Sequence, residues 1–347
     1  MAKEYEFPLS VGSLYYEKIV TEHAGEGLCI TRLQGLAGEV EIPAQIEGTP
    51  VLAIGRKAFL SKKNLRKVTV PETVVEVGDW AFAYCDNLHT VRFLAAKAGS
   101  GEEAGEQAEH VSDSGKEAEL RFGKAVFLEC HKLRYVFVQA QEESTAALLA
   151  AAVTTAEAPY LLDAQEAGSA EWLEKWDARM LSILHSADDE GYSKQVLCGE
   201  EDYGSTDKVA YESGRRKVKV RLLLLRCMYP EGLKAECRSE MEEYLRAHTK
   251  PGTGNAQMGA RGNPSRHDNK NENGIVQDET WQVILKEHSE ERAFYTLFTD
   301  LGCVTRENFD ALLSDVGEDC PELRAYLMRY KEEKLGYADV FADFLNF

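Results

Sequence analysis

The fold is decided by the stretch Ile54-Gly55-Arg56-Lys57-Ala58-Phe59, which leads to Asn64-Leu65 and then to Val68-Thr69-Val70-Pro71. The same arrangement returns as Val77-Gly78-Asp79-Trp80-Ala81-Phe82, Asn87-Leu88 and Val91-Arg92-Phe93. The glycines, the phenylalanines and the leucines of the two copies are each 23 positions apart. A fixed period of this length is typical of repeat architectures, in which one supersecondary unit stacks on the next.

A third copy begins at Phe122-Gly123-Lys124-Ala125-Val126-Phe127, and its glycine follows that of the second copy by 45 positions. The additional residues, 95–119, are rich in Gly, Ala and Glu, and they hold too little apolar surface to offset the entropy lost on ordering. We expect them to form a disordered insert. Upstream, Val40-Glu41-Ile42-Pro43 matches the strand of the first copy, so an incomplete repeat is expected to precede it.

Each repeat is expected to contribute one strand. Val68 and Val70 alternate with Thr69, which places two side chains inward and one outward. The glycine of each copy is expected to allow a tight turn. The Phe and Leu positions are expected to fill one continuous core, because a single repeat cannot bury its apolar face alone. The alternation assigns the outward positions to two rows: Glu41, Thr69, Arg92 and Phe137, and beside them Glu39, Lys67, Thr90 and Tyr135.

The pattern I-G-x-x-A-F-x-x-x-x-x-L-x-x-V-x-V-P, with Cys85 and Cys130 three residues after a phenylalanine, resembles the leucine-rich repeats of BspA-like bacterial proteins. The resemblance covers residues 40–138. It implies a right-handed β-solenoid-like stack that is used for protein contacts. Many members of this family are secreted surface adhesins, whereas Met1–Ser10 is charged, has no apolar core and is unlike an export signal.

Composition limits the classes of function. The chain has 347 residues, of which 44% are hydrophobic, and a formal net charge of −19. It is long enough for two or three domains, and no stretch is apolar enough to span a membrane. Because the charge repels phosphates and anionic lipids, neither nucleic acid nor membrane is expected as a partner. The eight cysteines contain no C-x-x-C, which predicts reduced thiols and, with the missing export signal, a cytoplasmic protein.

The second half changes from repeats to helical periodicity. We place the N-terminal β region with its repeats at 1–140, an Ala-rich linker at 141–168, and an α-helical domain at 169–347 with a disordered loop at 250–277. Ser169 is expected to cap the first helix. The predicted helices cover 170–187, 215–229, 237–248, 281–286, 292–301, 306–315 and 322–334, with a last turn at 340–345.

The helix–loop–helix run at residues 297–316 and 321–331, LFTDLGCVTRENFDALLSDV and PELRAYLMRYK, is similar to the paired helices of ankyrin-like and other α-solenoid repeats. The chain contains no phosphate-binding loop, nucleophile elbow or H-E-x-x-H metal motif. An active site in the helical half would draw on the nearest polar cluster, His185, Asp188, Glu201 and Tyr203. The acids at 188–190 lack the spacing of a calcium loop and predict a solvated helix end. The basic run at 215–221 predicts the polar face of a helix that pairs with acidic neighbours.

These observations predict an α+β multidomain protein in which a short leucine-rich repeat β-solenoid is followed by an α-helical domain. The predicted function is that of a non-catalytic, cytoplasmic protein–protein interaction module without cofactor or metal, and the expected partner is a protein. The alternatives are an enzyme with its site in the helical half and a BspA-like surface adhesin. The predicted protein-binding positions are Thr69, Arg92, Tyr135 and Phe137. The helical half is expected to cap the last repeat at Phe137, which leaves Thr69 and Arg92 exposed.

Overall fold

The structure, a computed structural model, describes residues 3–21, 25–95, 119–139, 141–193, 207–251 and 277–336. The chain divides into two compact units, Met1–Leu181 and Ser182–Phe347. All described strands belong to the first unit, and the second is helical. The predicted insert at 95–119 and the predicted loop at 250–277 lie outside the described residues except at their outermost positions, and the predicted turn at 340–345 lies wholly outside them.

The first unit begins with an antiparallel meander of three strands, β1 Tyr5–Pro8, β2 Ser13–Thr21 and β3 Gly25–Gln34. On one side of β2, Leu14 and Tyr16 are buried whereas Lys18 and Val20 are exposed, so only the first half of this strand has a covered face. The strand β3 then pairs in parallel with β6, Thr49–Ile54, while the short β5, Gln45–Ile46, pairs with β6 in antiparallel. The meander therefore covers the start of the repeats.

The repeats contribute strands to two sheets. One sheet continues from the meander through β6, β8 (Glu76–Val77) and β10 (Arg121–Phe122). The other has the order β11-β9-β7-β4 and consists of β4 Glu39–Glu41, β7 Lys67–Val70, β9 Thr90–Phe93 and β11 Tyr135–Val138, all parallel. Val68, Val91 and Val136 lie opposite one another there and are fully buried. The repeat period thus brings equivalent residues into register, as predicted.

Three phenylalanines form the centre of the repeat core. The rings of Phe59 and Phe82 stack with centroids 4.9 Å apart, and those of Phe82 and Phe127 with centroids 5.6 Å apart. None of the three is more than 2% exposed, which confirms their predicted inward position. The thiols of Cys85 and Cys130 donate to the carbonyl oxygens of Phe59 and Phe82 at 3.0 and 3.1 Å, so each thiol ties its repeat to the preceding one.

The glycine of each repeat lies at a turn, as predicted, and also allows adjacent repeats to approach each other closely. The backbone N–H groups of Ala58 and Ala81 donate to the carbonyl oxygens of Gly55 and Gly78 at 3.2 Å, so a tight turn begins at these glycines, although neither has a left-handed backbone. A Cβ atom at Gly78 would lie 2.6 Å from the backbone nitrogen of Arg56, and one at Gly123 would lie 2.6 Å from that of Asp79. Adjacent repeats therefore approach too closely for a side chain. The left-handed residues come two positions later, at Lys57, Trp80 and Ala125.

Helix α1, Glu143–Thr154, packs against β11, the last strand of the repeats. Its small and aliphatic residues at 146–152 are all buried. The segment predicted as a linker thus holds a packed helix, because alanine is the strongest helix former and allows close approach from every side. The indole of Trp176 donates to the Leu148 carbonyl oxygen at 3.0 Å and holds the helix in place. A short 3₁₀ helix, Pro159–Leu161, follows.

Helix α2, Ala170–His185, begins where the sequence predicts. The Oγ atom of Ser169 accepts a hydrogen bond from the backbone N–H of Trp172 at 3.1 Å, which satisfies one of the unpaired amides at the helix start. Trp172 and Met180 are buried on the predicted face. The indole N–H of Trp172 donates to the Leu161 carbonyl oxygen at 2.9 Å, so the helix is fixed to the preceding 3₁₀ turn.

Helices make up the described part of the second unit. They are α3 Lys208–Met228, α4 Ala235–Ala247, α5 Glu279–Glu287, α6 Arg292–Asp300, α7 Phe309–Val316 and α8 Pro321–Tyr330, with a π-helical turn at Lys331–Leu335. The helix α3 starts earlier than predicted because the Asp207 carboxylate accepts from the Val209 N–H at 2.9 Å and caps it. Trp281, Phe298 and Leu312 are buried in this unit. Among the described helices, none has the length and apolar character needed to cross a bilayer.

Replacing Phe82 by Ala tests the stacked core. We expect a loss of about 3 to 5 kcal/mol in the free energy of unfolding of the first unit, because the substitution leaves a cavity between two rings. Tyr160→Ala is the control, since Tyr160 is 64% exposed and its loss is expected to cost less than about 0.5 kcal/mol. Urea unfolding with amide hydrogen exchange measures both. A loss for Phe82→Ala no larger than that of the control contradicts the stack.

Replacing glycine by alanine at two positions, one between repeats and one in a helix, tests the close approach of the repeats. Gly78→Ala is expected to destabilise the first unit by about 2 to 3 kcal/mol, because the added methyl group would press against backbone that cannot move aside. Gly214→Ala is expected to stabilise the second unit by about 0.5 to 1 kcal/mol, because Gly214 lies inside α3 and a methyl group there meets nothing within 4 Å. Thermal unfolding of both variants checks the opposite signs.

Candidate functional site

The predicted site residues lie on the outward face of the β4-β7-β9-β11 sheet. Pairing places Glu41, Thr69, Arg92 and Phe137 in one row across the strands and Glu39, Lys67, Thr90 and Tyr135 in the next. We call these eight residues the ladder face. The strands alternate with buried valines, so the face points away from the core. The charged residues of β4 and β7 are exposed, and the other five residues are half-buried.

Three of the four predicted binding residues contact one another. The guanidinium carbon of Arg92 lies 3.7 Å from the centroid of the Phe137 ring, a cation–π contact. The Phe137 ring stacks on that of Tyr135 with centroids 5.8 Å apart. Thr69 lies opposite Arg92 in the neighbouring strand. The face therefore carries a preformed aromatic–cation cluster next to a polar strand.

Sequence reasoning missed two neighbours of this cluster. The hydroxyl of Tyr135 donates to Oε1 of Glu143, the first residue of α1, at 3.2 Å. The His89 ring lies 5.8 Å from the Tyr135 ring. The expected cap on the last repeat is thus supplied by α1, which belongs to the first unit, and Phe137 stays half-buried. The Ala-rich run at residues 145–152 is the sequence feature that could have predicted this helix, because alanine is the strongest helix former.

The ladder face lies in a basic part of an acidic chain. The three segments that lead into and form its last three strands are residues 62–69, 85–92 and 130–137. They contain seven Lys or Arg residues and one Asp, which leaves six positive charges with His neutral. The whole chain carries −19, so the remaining residues carry −25. The first strand differs from the other three, because Glu39 and Glu41 make it acidic.

The polar cluster proposed for an enzyme in the helical half is only partly present among the described residues. Glu201 and Tyr203 lie outside them. The His185 Nε2 atom lies 2.5 Å from Oε1 of Glu240, and this pair is exposed. The Asp188 carboxylate instead receives Lys219 Nζ at 2.7 Å. The structure therefore does not bring His185 and Asp188 into one hydrogen-bonded pair.

The basic run of α3 is an ion-paired helix face, as predicted. Arg216 donates from Nη1 to Asp188 at 3.2 Å and from Nε to Glu279 at 2.7 Å. The Arg221 guanidinium pairs with Glu287 at 2.7 Å. Arg216 and Glu279 are at most 3% exposed. Burial by itself lowers the pKa of Arg216, but the hydrogen bonds to Glu279 and Asp188 and the negative charges of these carboxylates outweigh it and raise that pKa. No group of three His, Cys, Asp or Glu side chains in the described segments is arranged to hold a metal ion.

The repeat thiols are poor nucleophiles. Burial raises the pKa of Cys85 to about 11 and that of Cys130 to about 12. Burial likewise raises the pKa of Cys29 to about 12. Since the thiolate is the reactive form, these cysteines serve packing and not covalent chemistry near neutral pH.

Parallel strands in register, a stacked phenylalanine column and leucines at a fixed period define a leucine-rich repeat region, which is followed by a helical region. More specifically, residues 39–146 match the family described as BspA type leucine rich repeat region in six copies, which confirms the BspA-like character of the repeats. No curated protein matches the chain.

Solved structures of leucine-rich repeat proteins are similar to part of the chain. A leucine rich cell surface protein from Faecalibacterium prausnitzii shares 22% identity over 39% of this chain and 32% of that one, with a TM-score of 0.26. A leucine-rich repeat protein from Bacteroides capillosus shares 24% identity over 39% of this chain and 84% of that one, with a TM-score of 0.27. The match thus spans about a third of the length of the first protein.

A half-buried histidine in the second unit leads to a prediction about pH. Burial holds the pKa of His248 below its usual 6.5, and its ring stacks on that of Tyr244 with centroids 3.8 Å apart. The unfolded chain therefore binds more protons than the folded one between the two pKa values. The contribution of His248 to the free energy of unfolding is therefore complete above pH 6.5. It decreases as the pH falls from that value towards the pKa of the folded state.

We expect His248→Gln to flatten this loss of stability. The measurement is the free energy of unfolding of the second unit between about pH 8 and about pH 5. His131→Gln removes an exposed histidine from the first unit and controls for the change in composition. Equal flattening by both variants contradicts the assignment to His248.

Proposed function

We propose that the repeats form a short solenoid whose ladder face binds a protein partner, and that the protein is a non-catalytic interaction module. The observation that carries this proposal is the cluster of Arg92, Tyr135 and Phe137. The three side chains are half-buried, and both Arg92 and Tyr135 contact the Phe137 ring. Arginine and aromatic side chains are the types that contribute most to protein interfaces. Such side chains on a rigid sheet lose little entropy when a partner binds.

The proposal that the module is non-catalytic rests on how the ionisable groups are used. In the described part of the second unit, ion pairs neutralise the charges of Asp188, Arg216, Lys219 and Glu279. The thiols of Cys85 and Cys130 have raised pKa values and donate to backbone carbonyl oxygens. An active site would instead direct such groups towards a cleft.

We propose a cytoplasmic location. The described cysteines form no disulfide, as is usual in a reducing compartment. The BspA type match equally suits an adhesin at a cell surface, which would use the same ladder face on an external partner. Fractionation of the producing cells separates the two: recovery in the soluble cytoplasmic fraction supports the module, and labelling of intact cells with a membrane-impermeant reagent supports the adhesin.

Site-specific photocrosslinking tests the binding face. A photoreactive amino acid at Thr69, on the ladder face, is expected to crosslink the full chain to another protein in the producing cells. The matched control carries the same amino acid at Tyr84, which is 45% exposed and belongs to the same repeats but not to the ladder face. Crosslinks of equal yield from both positions, or none from Thr69, contradict the proposal.

Arg92→Glu tests the cluster itself. The substitution is expected to weaken the Thr69 crosslink at least about fivefold, because it removes a cation from the centre of the face. Loss of the contact with Phe137 is expected to lower stability by only about 0.5 to 1 kcal/mol. A melting curve checks that the variant is folded, and an unchanged crosslink yield in the folded variant contradicts this face as the binding site.

A further inference from the structure

We propose that the partner segment recognised by the ladder face is an acidic polypeptide that crosses the strands, with an apolar side chain at one end. This inference rests on the proposed function and specifies the chemistry of its partner. Three features carry it: the local positive charge, the order of residue types across the strands, and two outward cations that form no ion pair with a described carboxylate.

The positive charge is local: Lys67 and Arg92 lie on the ladder face, and five further basic residues lie in the segments that lead into its strands. Six positive charges belong to residues 62–69, 85–92 and 130–137, while the remaining residues carry −25. Within the ladder face, neither Lys67 nor Arg92 forms an ion pair with a described carboxylate. By contrast, Arg216, Lys219 and Arg221 in α3 are paired with acids. The cations of the ladder face therefore remain available to carboxylates from another chain.

The order of residue types gives the partner a direction. From β4 to β11 the face changes from carboxylates at Glu39 and Glu41, through Lys67 and Arg92, to the rings of Tyr135 and Phe137. Parallel strands lie about 4.8 Å apart, so the four strands span roughly 14 Å. An extended segment of about four or five residues covers that distance. It would place an apolar residue on the rings, carboxylates at the cations and a basic residue at β4.

The arrangement favours a polypeptide over a nucleic acid. Both are anionic, but Glu39 and Glu41 extend the face with negative charge that would repel a phosphate backbone. The same two carboxylates can pair with a lysine or arginine of a polypeptide. The aromatic end is also a single contact point, whereas single-stranded nucleic acid is bound by aromatic rings along the whole groove.

Binding to the full chain of a fluorescent peptide of alternating aspartate and serine, ending in one phenylalanine, tests the inference. We expect saturable binding that weakens as salt is added. Replacing every aspartate by asparagine is expected to weaken binding at least about tenfold. The double variant Lys67→Glu with Arg92→Glu is expected to lose binding to the same extent and to bind a peptide with lysine in place of aspartate instead.

The matched control is Arg121→Glu with Lys124→Glu, which makes the same change of charge at exposed residues of the repeats outside the ladder face. It is expected to bind the aspartate peptide as the unchanged protein does. Equal binding of the asparagine peptide, equal loss in the control variant, or tighter binding of oligothymidylate overturns the acidic partner. A protein crosslink at Thr69 that survives Lys67→Glu with Arg92→Glu also overturns it, but leaves the proposed binding face standing.

Discussion

The close approach of one repeat's backbone to the next is the constraint on which the first unit depends. It requires glycine at Gly78 and Gly123, because backbone occupies the place of a side chain. It also brings Phe59, Phe82 and Phe127 into one stack, and full burial of each ring contributes on the order of 2 kcal/mol. The same approach aligns the outward residues in rows across the strands. The positions of the ladder-face residues therefore depend on the contacts that form the core.

Much of this arrangement can be predicted from the sequence, because strand alternation depends on local geometry alone. The repeat period placed Val68, Val91 and Val136 opposite one another and thereby assigned the ladder face. The role of the glycines in the close approach of the repeats could not be predicted, since the distance between adjacent repeats is a property of the packed stack. The contact of Tyr135 with Glu143 was missed for a related reason: it depends on how α1 docks against β11. Thr69 and Arg92 as binding residues stay predictions.

The second unit uses charge in a different way. Arg216 and Glu279 form a buried ion pair at 2.7 Å, and Asp188 joins it through the arginine. Breaking such a pair leaves one buried charge without compensation, which costs about 3 to 5 kcal/mol, whereas the intact pair adds little net stability. We therefore regard the pair as fixing how α3 lies against α5. A basic run in sequence can thus signify internal pairing, as here, or an outward surface, as in the repeats.

The direct pairing of β11 with β9 has a consequence for how this protein can evolve. The third repeat follows the second by 45 positions, nearly twice the usual period. Their strands, β9 and β11, nevertheless pair directly, with no other strand between them. Side-chain complementarity between repeats, and not the length of chain between them, sets which strands pair. An insertion between these two repeats is therefore neutral for register. Duplication of a whole repeat would add one strand to the sheet and would widen the ladder face without changing the packing of the existing core.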